Sequence, residues 1–211
     1  AESFTTIKAF ASVVNSDTKR FVTGLTKDNF AVTEEGTEIT DFKVEELTKS
    51  SGAKADIAFV FDVTGSMSGQ INGLKERALA FADALAEKGI DYRLGLVTYD
   101  DEVLEIHDFT ADITEFESWI EGLRAAGGGD TKENSLEGLE RSVALSWRAV
   151  TQRIGILITD ADYHEAGESG GGTTDQTTAS MISLLLENGI ALNTVAPDYD
   201  QFHALADETG G

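Results

Sequence analysis

The stretch Ile57-Ala58-Phe59-Val60-Phe61-Asp62-Val63-Thr64-Gly65-Ser66-Met67 decides the fold. Its first half is an apolar run without alternation, the pattern of a central parallel strand covered on both faces. Its second half sets a carboxylate, Asp62, and two hydroxyls, Thr64 and Ser66, at alternate positions on the loop leaving that strand. Oxygen donors with few charges suit a hard cation such as Mg²⁺, which keeps several waters and leaves room for an outside ligand.

Outward from this strand, which the pattern extends over Ala55 to Phe61, helix and strand alternate. Ile71, Leu74, Ala78, Leu79, Ala82 and Leu85 recur at helical spacing over 71–88, and Gly89 ends the helix. A strand follows at Tyr92 to Thr98, with Val103 to Ile106 beside it as an edge hairpin. Helices are expected at Asp112 to Ala125, Glu133 to Trp147, Thr177 to Glu187 and Gln201 to Glu208, and strands at Ile154 to Thr159 and Ile190 to Ala196. The fold class is therefore α/β: a doubly wound, mostly parallel, Rossmann-like sheet with helices on both faces and one antiparallel edge. In such sheets ligands bind beyond the carboxyl ends of the strands, where Asp62 and Asp160 both stand.

Residues 1–50 read differently, as a β-rich segment that is either a partial sandwich or an extension. Strands are expected over 4–14 and at Phe21-Val22, and a hairpin turn at Glu34-Glu35-Gly36 between Phe30-Ala31-Val32 and Ile39 to Val44. Residues 49–54 read as a linker to a domain over 55–211. Thr209-Gly210-Gly211 reads as a turn into one further strand.

The 211 residues carry 38 acidic and 16 basic side chains, a net charge of −22. Such a surface repels phosphate backbones and anionic headgroups, which argues against nucleic-acid partners and membrane surfaces. An apolar fraction of 41% supports a folded core. No apolar run approaches the roughly 18 residues of a membrane span, so no membrane insertion is expected in this segment. The absence of cysteine excludes disulfides, thiolate metal sites and a cysteine nucleophile.

Two further loops offer oxygen ligands. Gly127-Gly128-Gly129-Asp130-Thr131 can bend tightly and bring Thr131 towards the first loop, and Asp160 begins the loop after the strand Ile154 to Thr159. Taken together, Asp62-x-Thr64-x-Ser66, Thr131 and Asp160 resemble the metal-ion-dependent adhesion site of von Willebrand factor A domains, over roughly residues 55–211. The resemblance implies that Asp62, Thr64, Ser66, Thr131 and Asp160 hold Mg²⁺ (or Mn²⁺ or Ca²⁺), some directly and some through water. It implies an open metal position that accepts the carboxylate of a protein or other ligand, with Gly65, Met67, Asp130, Asp162 and His164 on the ligand rim. Thr64 stands where serine is commoner in the family, which keeps the hydroxyl. Thr159 to His164 is similar to the integrin β-subunit version of the fold, but Gly69 and Gln70 occupy positions where its adjacent metal site needs acids. The segment Val22 to Gly36 resembles the β-rich lead-in of many bacterial and archaeal secreted proteins, which implies an extracellular or cell-surface location.

Taken singly, these residues have plainer readings. Thr64 and Ser66 could cap the helix beginning near Gln70, and Thr131 could cap the next helix; Asp100 and Asp101 follow a strand and could touch the metal loops, though exposed edge carboxylates are the plainer reading. Trp119 and Trp147 stand at helical core spacing, and His107 and His203 are too scattered for a metal cluster. Lys132 follows Thr131 rather than preceding it, so the glycine cluster is not a phosphate loop, and Met67 stands where a nucleophile elbow needs serine. The expected function is a cation-dependent adhesion or interaction module and not an enzyme. The alternatives are an intracellular assembly subunit like the A domains of metal-chelatase complexes, and a metal-assisted hydrolase with His164 as base.

Overall fold

Nine residues of unbroken pairing run through the middle of the sheet, in a strand flanked on both sides by parallel neighbours. The computed structural model describes residues 13, 22, 24–45, 54–88, 90–129, 131–168 and 174–211, and the chain divides into two compact units, Ala1–Ala53 and Lys54–Gly211.

In the first unit, β1 (Val32–Glu34) and β2 (Thr37–Ile39) form an antiparallel hairpin with Val32 opposite Ile39. Glu35 and Gly36 both have positive φ, 48° and 79°, the signature of a tight I′ turn. The strands expected over 4–14 and at 21–22 lie outside the described residues, save for Val13 and Val22, whose backbones share a 2.8 Å hydrogen bond. The expected linker lies outside them too, apart from Lys54.

The second unit holds the expected α/β architecture. Its strands are β3 (Lys54–Asp62), β4 (Asp91–Tyr99), β5 (Val103–Thr110), a two-residue β6 (Lys132–Glu133), β7 (Gln152–Ile158), a two-residue β8 (Asp162–Tyr163) and β9 (Ile190–Val195). The helices are α1 (Ser68–Lys88), α2 (Ile113–Gly122), α3 (Ser135–Val143), α4 (Thr178–Glu187) and α5 (Asp200–Thr209). The main sheet has the order β5-β4-β3-β7-β9, parallel except for β5. From β3 the chain winds towards β4 and β5, and from β7 it winds the other way to β9. The winding therefore reverses between β3 and β7, the switch point at which such sheets place a ligand crevice.

Side chains of β3 alternate between two cores, as the pleat requires. Ile57, Phe59 and Phe61 pack with Ile71, Phe116 and Ile120 of α1 and α2. Val60 packs on the opposite face with Leu136, Leu139, Met181 and Leu205 of α3, α4 and α5. Among the described residues no helix is long and apolar enough to cross a membrane.

The helix expected over 133–147 is shorter at both ends. Lys132–Glu133 instead pairs in parallel with Asp162–Tyr163, and α3 stops at Val143. Trp147 is consequently not a helical core residue; its ring packs edge-on against Phe109 and its indole N–H donates to Ser142 O at 2.9 Å.

The segment after α3 folds over the amino end of the sheet to reach Asp56, a fully buried carboxylate inside the apolar strand. Arg93 Nε and Nη2 and the backbone N and Nε of Arg148 donate to it at 2.7–3.0 Å. Burial pushes the Asp56 carboxyl up, but the hydrogen bonds from Arg93 and Arg148 outweigh it and hold the group below its ordinary value of 3.8. Replacing Asp56 by Asn should therefore cost about 2–4 kcal/mol at pH 7, on the lower side of a broken buried pair because both guanidiniums are partly exposed. A depressed carboxyl stabilises fully above its unfolded value and loses that contribution as pH falls through the lower native one. In urea unfolding across pH, the gap between wild type and Asp56→Asn should thus close below pH 3.8; a constant gap would contradict the ion pairing.

Candidate functional site

At the carboxyl edge, β3 and β7 end side by side, with Phe61 opposite Ile158. The next residues on each strand, Asp62 and Thr159, are both buried and meet directly. The Thr159 hydroxyl donates to Asp62 Oδ2 at 2.6 Å. Asp62 Oδ1 accepts from the Thr64 backbone N at 2.8 Å and the Thr64 hydroxyl at 2.7 Å, which turns the chain sharply out of the strand. A 3-10 turn over Gly65–Met67 then leads into α1.

The oxygens continue in a line. Thr64 Oγ1 lies 3.0 Å from Ser66 Oγ, and Ser66 Oγ donates to Asp160 Oδ1 at 2.9 Å. Gln70 Nε2 holds the other oxygen, Asp160 Oδ2, at 3.2 Å. Asp62, Thr64, Ser66 and Asp160 thus form one chain of contacts across the switch point. The Thr64 hydroxyl makes no capping bond to the turn it precedes, so these hydroxyls serve the carboxylates and not the helix.

This donor set fits a hard cation. Two hydroxyl protons must serve three contacts; with both turned towards carboxylates, the Thr64 and Ser66 oxygens face each other at 3.0 Å with lone pairs only. Burial pushes the Asp62 carboxyl up, the bonds from Thr159 and Thr64 pull it back, and the Asp160 charge pushes it up again, leaving it above its ordinary value. Among the described residues neither Asp62 nor Asp160 has a basic side chain in ion-pair contact. A pair of carboxylates joined through hydroxyls and lacking a countercharge is a hard-cation environment. Among the described residues no cluster of three or more His, Asp or Glu side chains could hold a metal, so any cation here relies on hydroxyls as well as acids.

The glycine loop is stitched to the first loop by two backbone bonds, Ala126 N to Val63 O at 2.9 Å and Gly65 N to Gly127 O at 3.2 Å. Gly127 and Gly128 adopt φ of 86° and 89°, and their lack of side chains admits the Asp100 carboxylate on one side and Thr64 on the other. Asp100 and Asp101 are accordingly half-buried against this loop, not exposed edge acids. Thr131 is exposed just before β6, and its hydroxyl does not join the oxygen chain.

The rim residues divide. Gly65 is exposed beside the oxygen chain, whereas Met67 is a core side chain, packed with Phe61 and Ile71, because the 3-10 turn rotates it inward. Asp130 lies outside the described residues. Asp162 is half-buried and held by Lys132 at 3.6 Å and by the Gln201 amide. His164 is buried, not at an open rim; its backbone N donates to Glu133 O at 3.1 Å and its ring faces Glu168 at 3.7 Å. Two contributors escaped the sequence reading, Thr159 and the Gln70 amide. The β3–β7 register was the signal for Thr159, since it puts the residue after Ile158 beside the one after Phe61.

The sequence profile of the von Willebrand factor A domain matches residues 56–211. A curated relative, the alpha-protein kinase vwkA of Dictyostelium discoideum, is 26% identical over 178 residues, covering 76% of this chain and 28% of its own length. The chain thus spans about a quarter of that relative. Proximal thread matrix protein 1 of the mussel byssus, a solved structure, is 18% identical and superposes with a TM-score of 0.54 over 74% of this chain and 39% of its own, a likeness of fold. The type V pili tip protein Mfa5 of Porphyromonas gingivalis is 23% identical over 56% of this chain and 22% of its own, at a TM-score of 0.45. The expectation that the chain is not an enzyme is corrected by the first of these relatives, which is named as a kinase.

Replacing Thr159 by Val removes a donor from a buried carboxylate at nearly constant shape. It should lower stability by about 1–3 kcal/mol in urea unfolding, with Thr159→Ser close to wild type. Equal midpoints for Val and wild type would show that the hydroxyl does not hold Asp62.

Proposed function

The chain belongs to the von Willebrand factor A domain family, and from that premise we propose that it is a cation-dependent binding module of the metal-ion-dependent adhesion type. The observation that carries the reading is the oxygen chain Asp62–Thr64–Ser66–Asp160, which lies at the switch point and lacks a countercharge. Asp62, Thr64, Ser66 and Asp160 would hold the metal, with Thr131 reaching it from the loop stitched to Gly65. Mg²⁺ suits the donor set best, with Mn²⁺ or Ca²⁺ as substitutes. When bound, it would supply an electrophilic position for a carboxylate oxygen of a partner protein.

The protein's own groups prepare that position. Thr159 and the Thr64 backbone orient Asp62, Gln70 orients Asp160, and the glycine loop keeps bulk away from Thr64. The Gln70 amide stands where a neighbouring acidic site would need a carboxylate, which favours a single metal position. The β-rich lead-in supports an extracellular or cell-surface setting. The same module can also serve a longer catalytic protein, since the kinase-named relative carries its matching region within a much longer chain.

Melting in Mg²⁺ against EDTA tests the reading. At a hundredfold excess over the dissociation constant the metal should stabilise by about 2.7 kcal/mol, roughly 5–10 °C for a domain of this size. Asp62→Ala should abolish the shift. A wild-type melting temperature that ignores metal concentration would refute the site.

A further inference from the structure

We propose that the cleft between α1 and the segment after α2 is a subsite for a second acidic side chain of the partner, anchored by Lys75 and Arg124; this rests on the metal-dependent reading above. Among the described residues, cations divide between those paired with carboxylates and those held by neutral groups. Lys54, Arg93, Lys132, Arg141 and Arg148 have acidic partners, whereas Lys27 and Arg153 donate to backbone carbonyls. Lys75 and Arg124 pair with no acid among the described residues. Both donate to the same two neutral carbonyls at the end of α2. Lys75 Nζ donates to Glu121 O and Leu123 O, both at 3.1 Å, and Arg124 Nη1 donates to the same oxygens at 2.6 and 2.8 Å.

Those carbonyls hold two positive charges side by side and still leave donors over. Lys75 keeps one ammonium proton, and Arg124 keeps Nε and Nη2. The two cations stand in a cleft of about 340 Å³, together with the Ser68 hydroxyl, the Asn72 amide, Ile71 and Ala125. A carboxylate entering it would meet a guanidinium fork, an ammonium and neutral donors, an arrangement that suits an acid.

The cleft opens off the oxygen chain. One wall begins at Ser68, two residues after Ser66, and the other reaches Ala125, beside the residue bonded to Val63 O. Lys75 is seven residues along α1 from Ser68, about 10 Å at helical rise. An extended peptide advances about 3.3 Å per residue, so a second acid about three or four residues from the metal-bound one would reach the cleft. The two anchors would select partners by the spacing of two acids, against a net charge that otherwise repels acidic surfaces.

Two glycine-serine peptides test this by amide chemical-shift titration, one with a single glutamate and one with two glutamates four residues apart. In Mg²⁺ the two-acid peptide should bind roughly five- to tenfold tighter, a gain that shrinks in high salt. Lys75→Gln with Arg124→Gln should erase the gain and leave single-acid binding unchanged. If the double variant melts early, Arg124→Gln alone should remove part of the gain. Equal, Mg²⁺-dependent binding of both peptides to wild type would overturn the subsite and leave the metal reading standing. If neither peptide binds in Mg²⁺, the metal reading fails and the subsite falls with it.

Discussion

The parallel register between β3 and β7 is the constraint on which the carboxyl edge depends. With Phe61 opposite Ile158, Asp62 and Thr159 leave their strands together, and a 2.6 Å hydrogen bond joins them inside the protein. Strand side chains alternate faces, so a slip of one residue would turn Asp62 away from Thr159 and send Phe59 and Phe61 to the wrong core. Both cores therefore enforce the register. The loops beyond need only be short, since Ser66 and Asp160 close the oxygen chain within four and two residues of those strand ends.

β3 carries a buried carboxylate near each end, and the two are treated oppositely. Asp56 is matched by two guanidiniums and a backbone N–H and is held below its ordinary value. Asp62 receives two hydroxyls and a backbone N–H, has a second carboxylate nearby, and is held above it. Equal burial with unequal compensation separates a clamp from a site. The first is satisfied by the fold itself, and the second is left in want of positive charge.

Much of this was legible in the sequence, and the exceptions share a cause. Asp62, Thr64, Ser66 and Asp160 could be found because each lies within a few residues of a strand end, where local pattern and topology agree. Thr159 was missed because its role comes from a neighbouring strand across about a hundred residues. The resemblance put Met67 on the rim beside Gly65, yet one 3-10 turn sends it into the core while Gly65 and Ser66 stay exposed. His164 and the start of α3 were misplaced for one reason: the two-residue pairing of β6 with β8 is too short to leave a periodic signal. Trp147 kept helical spacing after the helix had ended, while its segment turned back to deliver Arg148 to Asp56.

The position of β3 has a mechanical consequence. The chain enters this unit at Lys54, at one end of the strand, and Asp62 lies at the other. On the proposed reading, a pull between a ligand at Asp62 and the chain leading into Lys54 would run along the strand axis. The ladders to β4 and β7 are then loaded in shear, with many rungs strained together, instead of being peeled one at a time. Arg148 adds bonds to Ala55 O and Asp91 O across two strands at the loaded end. Under tension, survival depends on the rate of unfolding, and this geometry would set the longest pairing of the sheet in line with the force.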